Sequence, residues 1–249
     1  IVIAYLITST FTLILQNGMA QIETQELFTV GINDVEASVK EKSNRHLLEI
    51  AEKVKREYEK NSTISLKTLA DHNGIVEINV VDSNGIIRNS TEADVINNYD
   101  MNSKAQSKEF VDTLKTQDSF VQEYSPRGKD ESVWRKYAAI NLESGGFIQV
   151  GYDAEQFHEM LDEFVIDVTK NRHVGTGGFV AVCDEKLNLV IDDDKYNKKS
   201  IETIGITPPT EMLNKRTATK LYSDDVVDGI NDGSENYTYV FKFIEGYFI

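Results

Sequence analysis

The chain has 249 residues, 40% of them hydrophobic, and a formal net charge of -15; that length suffices for two modest domains, each with its own core. Its acidity excludes nucleic acid as a partner, because phosphates demand a basic face and the Lys and Arg here are scattered without a basic run. The single cysteine, Cys183, lies in an apolar strand pattern, which excludes a disulfide framework or a thiolate metal site and makes it a small buried hydrophobe.

Residues 1 to 15 carry no charge and follow no initiating Met, so they read as the outer part of a membrane helix whose beginning is missing. The first basic residue is Lys40, whereas Glu23, Glu26, Asp34 and Glu36 precede it, which puts this flank on the extracytoplasmic side. The competing reading is a signal-peptide core, since Gly18-Met-Ala20 fits a small-x-small cleavage site. A partial transmembrane helix over 1–18 is thus expected to lead into a long amphipathic helix over 19–60. Its apolar positions Phe28, Ile32, Val35 and Val39, then Leu47, Ala51, Val54 and Tyr58, recur at helical spacing. Such a stripe packs on the domain that follows, pairs with a second copy of itself, or does both in a homodimer.

Ser65 opens a short helix through Ala70, which Asn73-Gly74 closes. From Ile78 to Ile87 two apolar strands flank an Asp82-Ser-Asn-Gly85 turn, and the same pattern returns from Phe179 to Ile191 around Asp184. A second hairpin, Tyr137 to Val150, has its counterpart in Tyr239 to Ile249, so the chain reads as two copies of one sheet-bearing module. Between the hairpins of the first copy, Ser103 with Gln106 forms a capping box for a helix bearing Phe110, Val111 and Leu114. Strands are predicted at 120–124 and 133–142, separated by a Pro126-Arg-Gly-Lys loop, and Glu143-Ser-Gly-Gly146 turns the chain into 147–152. Asp153 with Gln156 caps a further helix whose stripe is Phe157, Leu161, Phe164 and Val168 and which ends near His173. The second module has predicted strands at 179–184, 187–192, 218–222 and 237–249, and the chain stops within the last of them.

This order of elements resembles the double Cache sensor domains of bacterial transmembrane receptors. The likeness is carried by Val80-Val-Asp-Ser-Asn-Gly-Ile-Ile87, Asn98-Tyr-Asp-Met-Asn-Ser103, Val150-Gly-Tyr-Asp153 and Val174-Gly-Thr-Gly-Gly-Phe-Val-Ala-Val-Cys-Asp184. Arg135-Lys-Tyr137, Gly146-Phe-Ile-Gln-Val-Gly-Tyr-Asp153 and Thr169-Lys-Asn-Arg-His-Val-Gly175 look most like sensors fused to histidine kinases or to stage II sporulation E-type serine phosphatases. The resemblance implies an α+β fold of two tandem PAS-like antiparallel-sheet modules after a long helix. It divides the chain into a membrane-distal module at 61–153, a connecting helix at 154–174 and a membrane-proximal module at 175–249.

In that family the distal module holds a small molecule between its sheet and a lid, here residues 96–115. The strand over 133–141 alternates, with Val133, Arg135, Tyr137, Ala139 and Asn141 on one face and Trp134, Lys136, Ala138 and Ile140 on the other. Arg135 suits a carboxylate clamp and Tyr137 an aromatic wall with a hydroxyl; Trp134 and Lys136 replace them if the strand is turned over. The family's amino-acid-binding branch has Arg-x-Trp-Tyr-x-Asp on this strand, where this chain has Trp134-Arg-Lys-Tyr-Ala-Ala139. Asp153 matches the aspartate that holds an amine in that branch, and is equally a helix N-cap. The candidate ligand residues are therefore Arg135, Tyr137, Asn141, Asp153, Tyr124, Trp134 and Tyr99.

No catalytic, metal or cofactor site is expected. His46, His72, His158 and His173 show no ligand spacing, Gly175-Thr-Gly-Gly178 precedes a strand where a phosphate loop precedes a helix, and Asp192-Asp-Asp194 lacks the alternation of a calcium loop. The expected function is ligand sensing in the extracytoplasmic part of a membrane-anchored receptor. A surface-anchored protein-interaction module without a ligand is the alternative.

Overall fold

No proline interrupts the first 60 residues, and one helix, α1, runs through Val2–Lys60. The computed structural model describes residues 2–127, 129–130, 132–170, 172–174, 178–204, 227–231, 236–239 and 243–249; for 2–29, 154–156, 159, 173–174, 178–179 and the strands within 227–239 it describes the backbone alone. The membrane expectation for 1–18 concerns side chains outside the described residues. Among the described residues no helix is long and apolar enough to cross a membrane. Along α1, Ile32, Val35, Val39, Leu47, Ala51 and Val54 are buried, and Ser43 fills the gap in the stripe with its hydroxyl donated to the Lys40 carbonyl at 3.1 Å. The chain divides into two compact units, one of Val39–Phe164 and one of Ile1–Ser38 with Val165–Ile249.

In the first unit Ser65 caps α2, Leu66–His72, by accepting from the Thr68 N–H, and Gly74 leaves it at φ +62°. The strands are β1 Glu77–Val81, β2 Ile87–Ser90, β3 Ser119–Val121, β4 Ser125–Pro126, β5 Trp134–Asn141 and β6 Phe147–Tyr152. They build an antiparallel sheet in the order β2-β1-β6-β5-β3, with β4 also on β5. Of the strand expected over 120–124 only Phe120 and Val121 belong to one, β3; β4 begins just past Tyr124, whose ring meets Trp134 at 5.5 Å between centroids. In the β1–β2 turn the Asp82 carboxylate accepts from the Asn84 and Ile86 N–H groups, and Gly85 takes the left-handed conformation at φ +85°.

From Thr91 the chain runs through short 3₁₀ turns at Ala93–Val95 and Met101–Ser103 into α3, Ala105–Thr113. The predicted capping box does not form. Ser103 bonds back to the Asp100 carbonyl, and the Gln106 amide is drawn away to Ser125 Oγ at 3.0 Å and the Pro126 carbonyl at 2.6 Å. Three backbone bonds stitch this segment to the edge of the first hairpin: Asn97 N–H to Ile87 O, Ile87 N–H to Tyr99 O and Met101 N–H to Gly85 O.

The sheet has two unlike faces. On one, Ile78, Val80, Ala138, Ile140, Ile148 and Val150 are all buried and all apolar. Ring contacts of Tyr152 with His46 on α1 and with Phe157 on α4, Ala154–Thr169, lie on this side. The stripe of α4 is Phe157, Leu161 and Val165, a regular four-residue step in place of the predicted Phe164 and Val168. The helix stops at Thr169, short of His173, where Thr169 Oγ1 bonds back to the Val165 carbonyl.

The second unit repeats the first turn atom for atom. Asp184 Oδ1 accepts from the Lys186 and Asn188 N–H groups, Asp184 N–H donates to the Asn188 carbonyl, and Leu187 stands at φ +62° where the first turn has glycine. Strands β7 His173–Val174 and β8 Gly178–Phe179 precede it, and the strands predicted at 179–184 and 187–192 reduce to β8 and to bridges at Cys183, Asn188 and Leu189. The strand predicted at 218–222 lies outside the described residues. The one predicted over 237–249 is broken. After β9 Val227–Asn231 and β10 Asn236–Tyr239 come β11 Phe243–Ile244 and β12 Tyr247–Phe248, joined by Glu245 and Gly246 at φ +51° and +86°. Two consecutive positive φ values make the tight hairpin that the Glu-Gly pair permits. Val182, Leu189, Val190, Phe243, Ile244 and Phe248 are buried together with Cys183, whose backbone exchanges two hydrogen bonds with Phe248. Burial, then the Asp184 charge, push the Cys183 thiol up to about 12, so it stays protonated and inert.

Candidate functional site

The second face of the sheet is built from the alternate residues of the same three central strands, and it is polar. Strand register sets them in rows. Glu77 of β1, Gly151 of β6 and Tyr137 of β5 stand side by side, and Asn79, Gln149 and Ala139 form the next row. A side chain at Gly151 would meet Tyr137 Cε1 at 2.6 Å, so the glycine opens a slot into which the tyrosine ring leans. The ring crosses β6, and its hydroxyl donates to Glu77 Oε2 at 2.9 Å. Further along, Val81, Phe147 and Ile87 meet Phe110 and Val111 of α3 and Leu114 just after it in an apolar end to this layer.

Glu77, Asn79, Gln149, Gln122 and Ser107 are all more than nine-tenths buried. Burial of polar groups costs free energy unless partners are supplied. For Glu77 they are. Oε1 accepts from Asn79 Nδ2 at 2.8 Å and Arg127 Nη2 at 3.1 Å, and Oε2 accepts from Tyr137 and from Arg135 Nη1. Arg127 also reaches Glu92 Oε2 at 2.7 Å; Lys129 joins Glu92 at 3.2 Å and Asp94 at 2.5 Å; Arg135 lies 3.5 Å from Glu92 Oε1. The three bases of the β4–β5 loop and strand are matched one for one by three carboxylates of β1 and the 92–94 turn.

The electrostatics follow from this pairing. Burial, then the neighbouring Glu77 charge, raise the Tyr137 phenol far above its ordinary range, so the hydroxyl remains a donor. Burial alone would lower the Arg127 value and raise that of Glu92, but their mutual hydrogen bond and charges outweigh it and both are held ionised.

Between this face and the 91–113 segment lies a cavity of about 50 Å³, with Tyr99, Met101, Phe110 and Tyr137 among its apolar walls and Asn79, Gln149, Gln122 and Glu77 among its polar ones. Outside it, between α3 and strands β3 and β4, runs an open groove of about 620 Å³ whose wall shares Gln106, Gln122 and Arg127 with the cavity. Phe110 meets Tyr137 edge to face at 6.4 Å.

Of the residues singled out in the sequence, Tyr137 and Tyr99 line the cavity, Tyr99 with its hydroxyl 3.4 Å from Ser107 Oγ. Arg135 is on the same face, one step behind, and is engaged by the chain's own Glu77 and Glu92. Asn141 also shares the face, but its amide donates to the Leu114 and Gln117 carbonyls at 3.0 Å each and ties down the end of α3. Tyr124 and Trp134 meet with tilted rings, and Tyr124 stacks on Phe157, on the apolar side of the sheet. Asp153 is at the start of α4, where its carbonyl accepts from the Phe157 N–H at 3.2 Å, outside the cavity lining. The sequence reading passed over Glu77, Asn79, Gln149, Gln122 and Arg127. The first three carried a signal, a polar residue at every second position of Glu77-Ile-Asn79 and Ile148-Gln-Val150, in step with Tyr137 on the partner strand. Among the described residues no group of three or more His, Cys, Asp or Glu is placed to hold a metal.

No family model matches the chain, and no curated protein does. Solved structures similar to it include the ligand-binding domain of a Campylobacter jejuni chemoreceptor in complex with 4-methylisoleucine, at 13% identity over 91% of this chain and 88% of that one, TM-score 0.41. The extracellular domain of a protein classed as a histidine kinase is similar at 14% identity over 92% and 93%, TM-score 0.39. An extracellular ligand binding receptor from Desulfohalobium retbaense matches at 14% identity over 89% of this chain, TM-score 0.36, and the chain spans 38% of that protein's length. At these values no residue's role passes from those proteins to this one.

Proposed function

We propose that this chain is the ligand-sensing region of a bacterial receptor, extracytoplasmic and anchored through its N-terminal helix, and that it binds a small molecule in the cavity of the Val39–Phe164 unit. The observation that carries the reading is the contrast between the two faces of one sheet. The packing face is apolar at Ile78, Val80, Ala138, Ile140, Ile148 and Val150 and polar only at its Lys136–Tyr152 end; the cavity face instead buries Glu77, Asn79, Gln149 and Gln122 beside aromatic rings. Sparse convergent polar groups in an aromatic-lined concavity are the usual composition of a small-molecule site. The segment 96–115 is the closing element, and Tyr137 and Tyr99 are the central contacts. The Asp184 unit is read as a second module of the same kind. It passes the displacement toward the membrane, and a histidine kinase or serine phosphatase receives it. A ligand drives such a change only by as much as it prefers one state.

The test is a thermal-shift screen of the 249-residue chain against amino acids, carboxylates, amines, nucleobases and sugars. A compound at a hundredfold its Kd adds ~2.7 kcal/mol, or roughly 5 to 10 °C for a domain of this size. Cooperative melting that no compound moves would favour the alternative, a surface-anchored protein-interaction module. One observation speaks for that second reading: the ionic groups beside the cavity are already matched to one another.

A further inference from the structure

On the reading that the cavity is the ligand site, we infer that its ligand is an uncharged planar compound with amide-like hydrogen-bonding edges, of the nucleobase or cyclic-imide class, and not an amino acid, carboxylate or amine. Two independent features lead there. The first is charge. The charged groups of the cavity lining are already engaged, Glu77 with Arg127 and Arg135, Arg127 also with Glu92, and Lys129 at the rim with Glu92 and Asp94, so an ionic ligand there competes with an existing pair.

The second is the set of hydrogen-bonding atoms left over. The Glu77 carboxylate only accepts, so Asn79 turns its NH2 toward it; the same NH2 then donates to Gln149 Oε1 at 3.0 Å, which leaves Gln149 Nε2 as a donor with no partner among the described residues. The Gln122 amide is fixed in the same way, because Nε2 donates to the Gln106 backbone carbonyl at 3.0 Å, and Oε1 is left as an acceptor. Gln106 gives its Nε2 to the Pro126 carbonyl and likewise keeps Oε1. Gln149 and Gln122 are 5% and 7% exposed and line the cavity, with Gln106 on its outer wall. One amide donor and two amide acceptors, with Tyr99, Phe110 and Tyr137 for ring faces, complement a heterocycle that carries both a ring N–H and a carbonyl. At about 50 Å³ the cavity holds water but not such a ring; the adjoining groove of about 620 Å³, which shares Gln106 and Gln122 with it, extends the room for one.

The experiment is equilibrium binding and thermal shift of the 249-residue chain with two sets of probes, uracil, hypoxanthine and succinimide against glycine, L-alanine, acetate and putrescine. The inference expects a rise in melting temperature with at least one of the first set and none with the charged set. It further expects at least tenfold weaker binding on Gln149→Met or Gln122→Met. Because those variants alter a buried network, the wild-type chain is also tested with N-methylated forms of the compound that binds, and loss of the shift is expected where the methyl replaces the recognised N–H. Binding by the charged set alone, or first-set binding indifferent to both glutamines and to N-methylation, overturns the inference and leaves the cavity as a ligand site. Silence from both sets overturns the inference together with the reading it rests on.

Discussion

Tyr137 reaches Glu77 across an intervening strand only because Gly151 stands between them. The three residues share one row of the sheet, and the tyrosine ring occupies the space that any side chain at 151 would need. Gly151→Ala is therefore expected to push the ring out of its slot and cost about 1–3 kcal/mol, the usual range for overpacking. Combined with Tyr137→Ala the penalty should largely vanish, and chemical denaturation of the four members of the cycle reads that coupling.

Glu77 is the hub of the buried polar cluster, so the two sides of its ion pairs are not equivalent. Glu77→Ala leaves Arg127 and Arg135 with Glu92 as their one shared anion and should destabilise by ~3–5 kcal/mol. Arg135→Ala leaves Glu77 with Arg127, Asn79 and Tyr137 and should cost clearly less. Urea midpoints of the two variants decide the order.

Glu92 sets an acid limb. Burial raises its pKa, but the Arg127 hydrogen bond and charge, with Lys129, lower it further, so the folded value lies below the unfolded one. A depressed carboxylate contributes stability that is fully present above its unfolded pKa, about 4.3, and is lost as pH falls through the folded value. Melting temperature measured from pH 6 to pH 3 should fall less steeply in Glu92→Gln than in the wild type.

The repeated turn gives each unit its own reporter. Asp82→Ala and Asp184→Ala each remove two side-chain bonds to backbone N–H groups and should each cost about 1–2 kcal/mol. Amide exchange should quicken in β1, β2 and the 96–101 segment for the first, and around Cys183 and Phe248 for the second.

How much of this was legible in the sequence follows from how local each signal is. The Asp82 turn, its echo at Asp184, the α1 stripe and the alternation of β5 depend on residues a few positions apart, and each was readable. The Ser103 capping box was plausible by the same logic and failed because Gln106 found partners near residue 126, a choice settled by tertiary contact. Arg127 sat in a polar loop with nothing to mark it; its importance lies in Glu77 and Glu92, far away in sequence. Asn141 was put on the correct face of β5, yet its amide serves the end of α3, because the face is wider than the cavity.

The account's central claim concerns which face of β5 meets a ligand, and neighbouring residues on that strand test it. For any compound that raises the melting temperature of the wild type, Tyr137→Ala should abolish the rise, while Trp134→Ala, which opens the opposite face, lowers the baseline but leaves the rise intact. If Trp134→Ala abolishes the rise and Tyr137→Ala does not, the ligand lies on the other side of the sheet and the cavity is not its site.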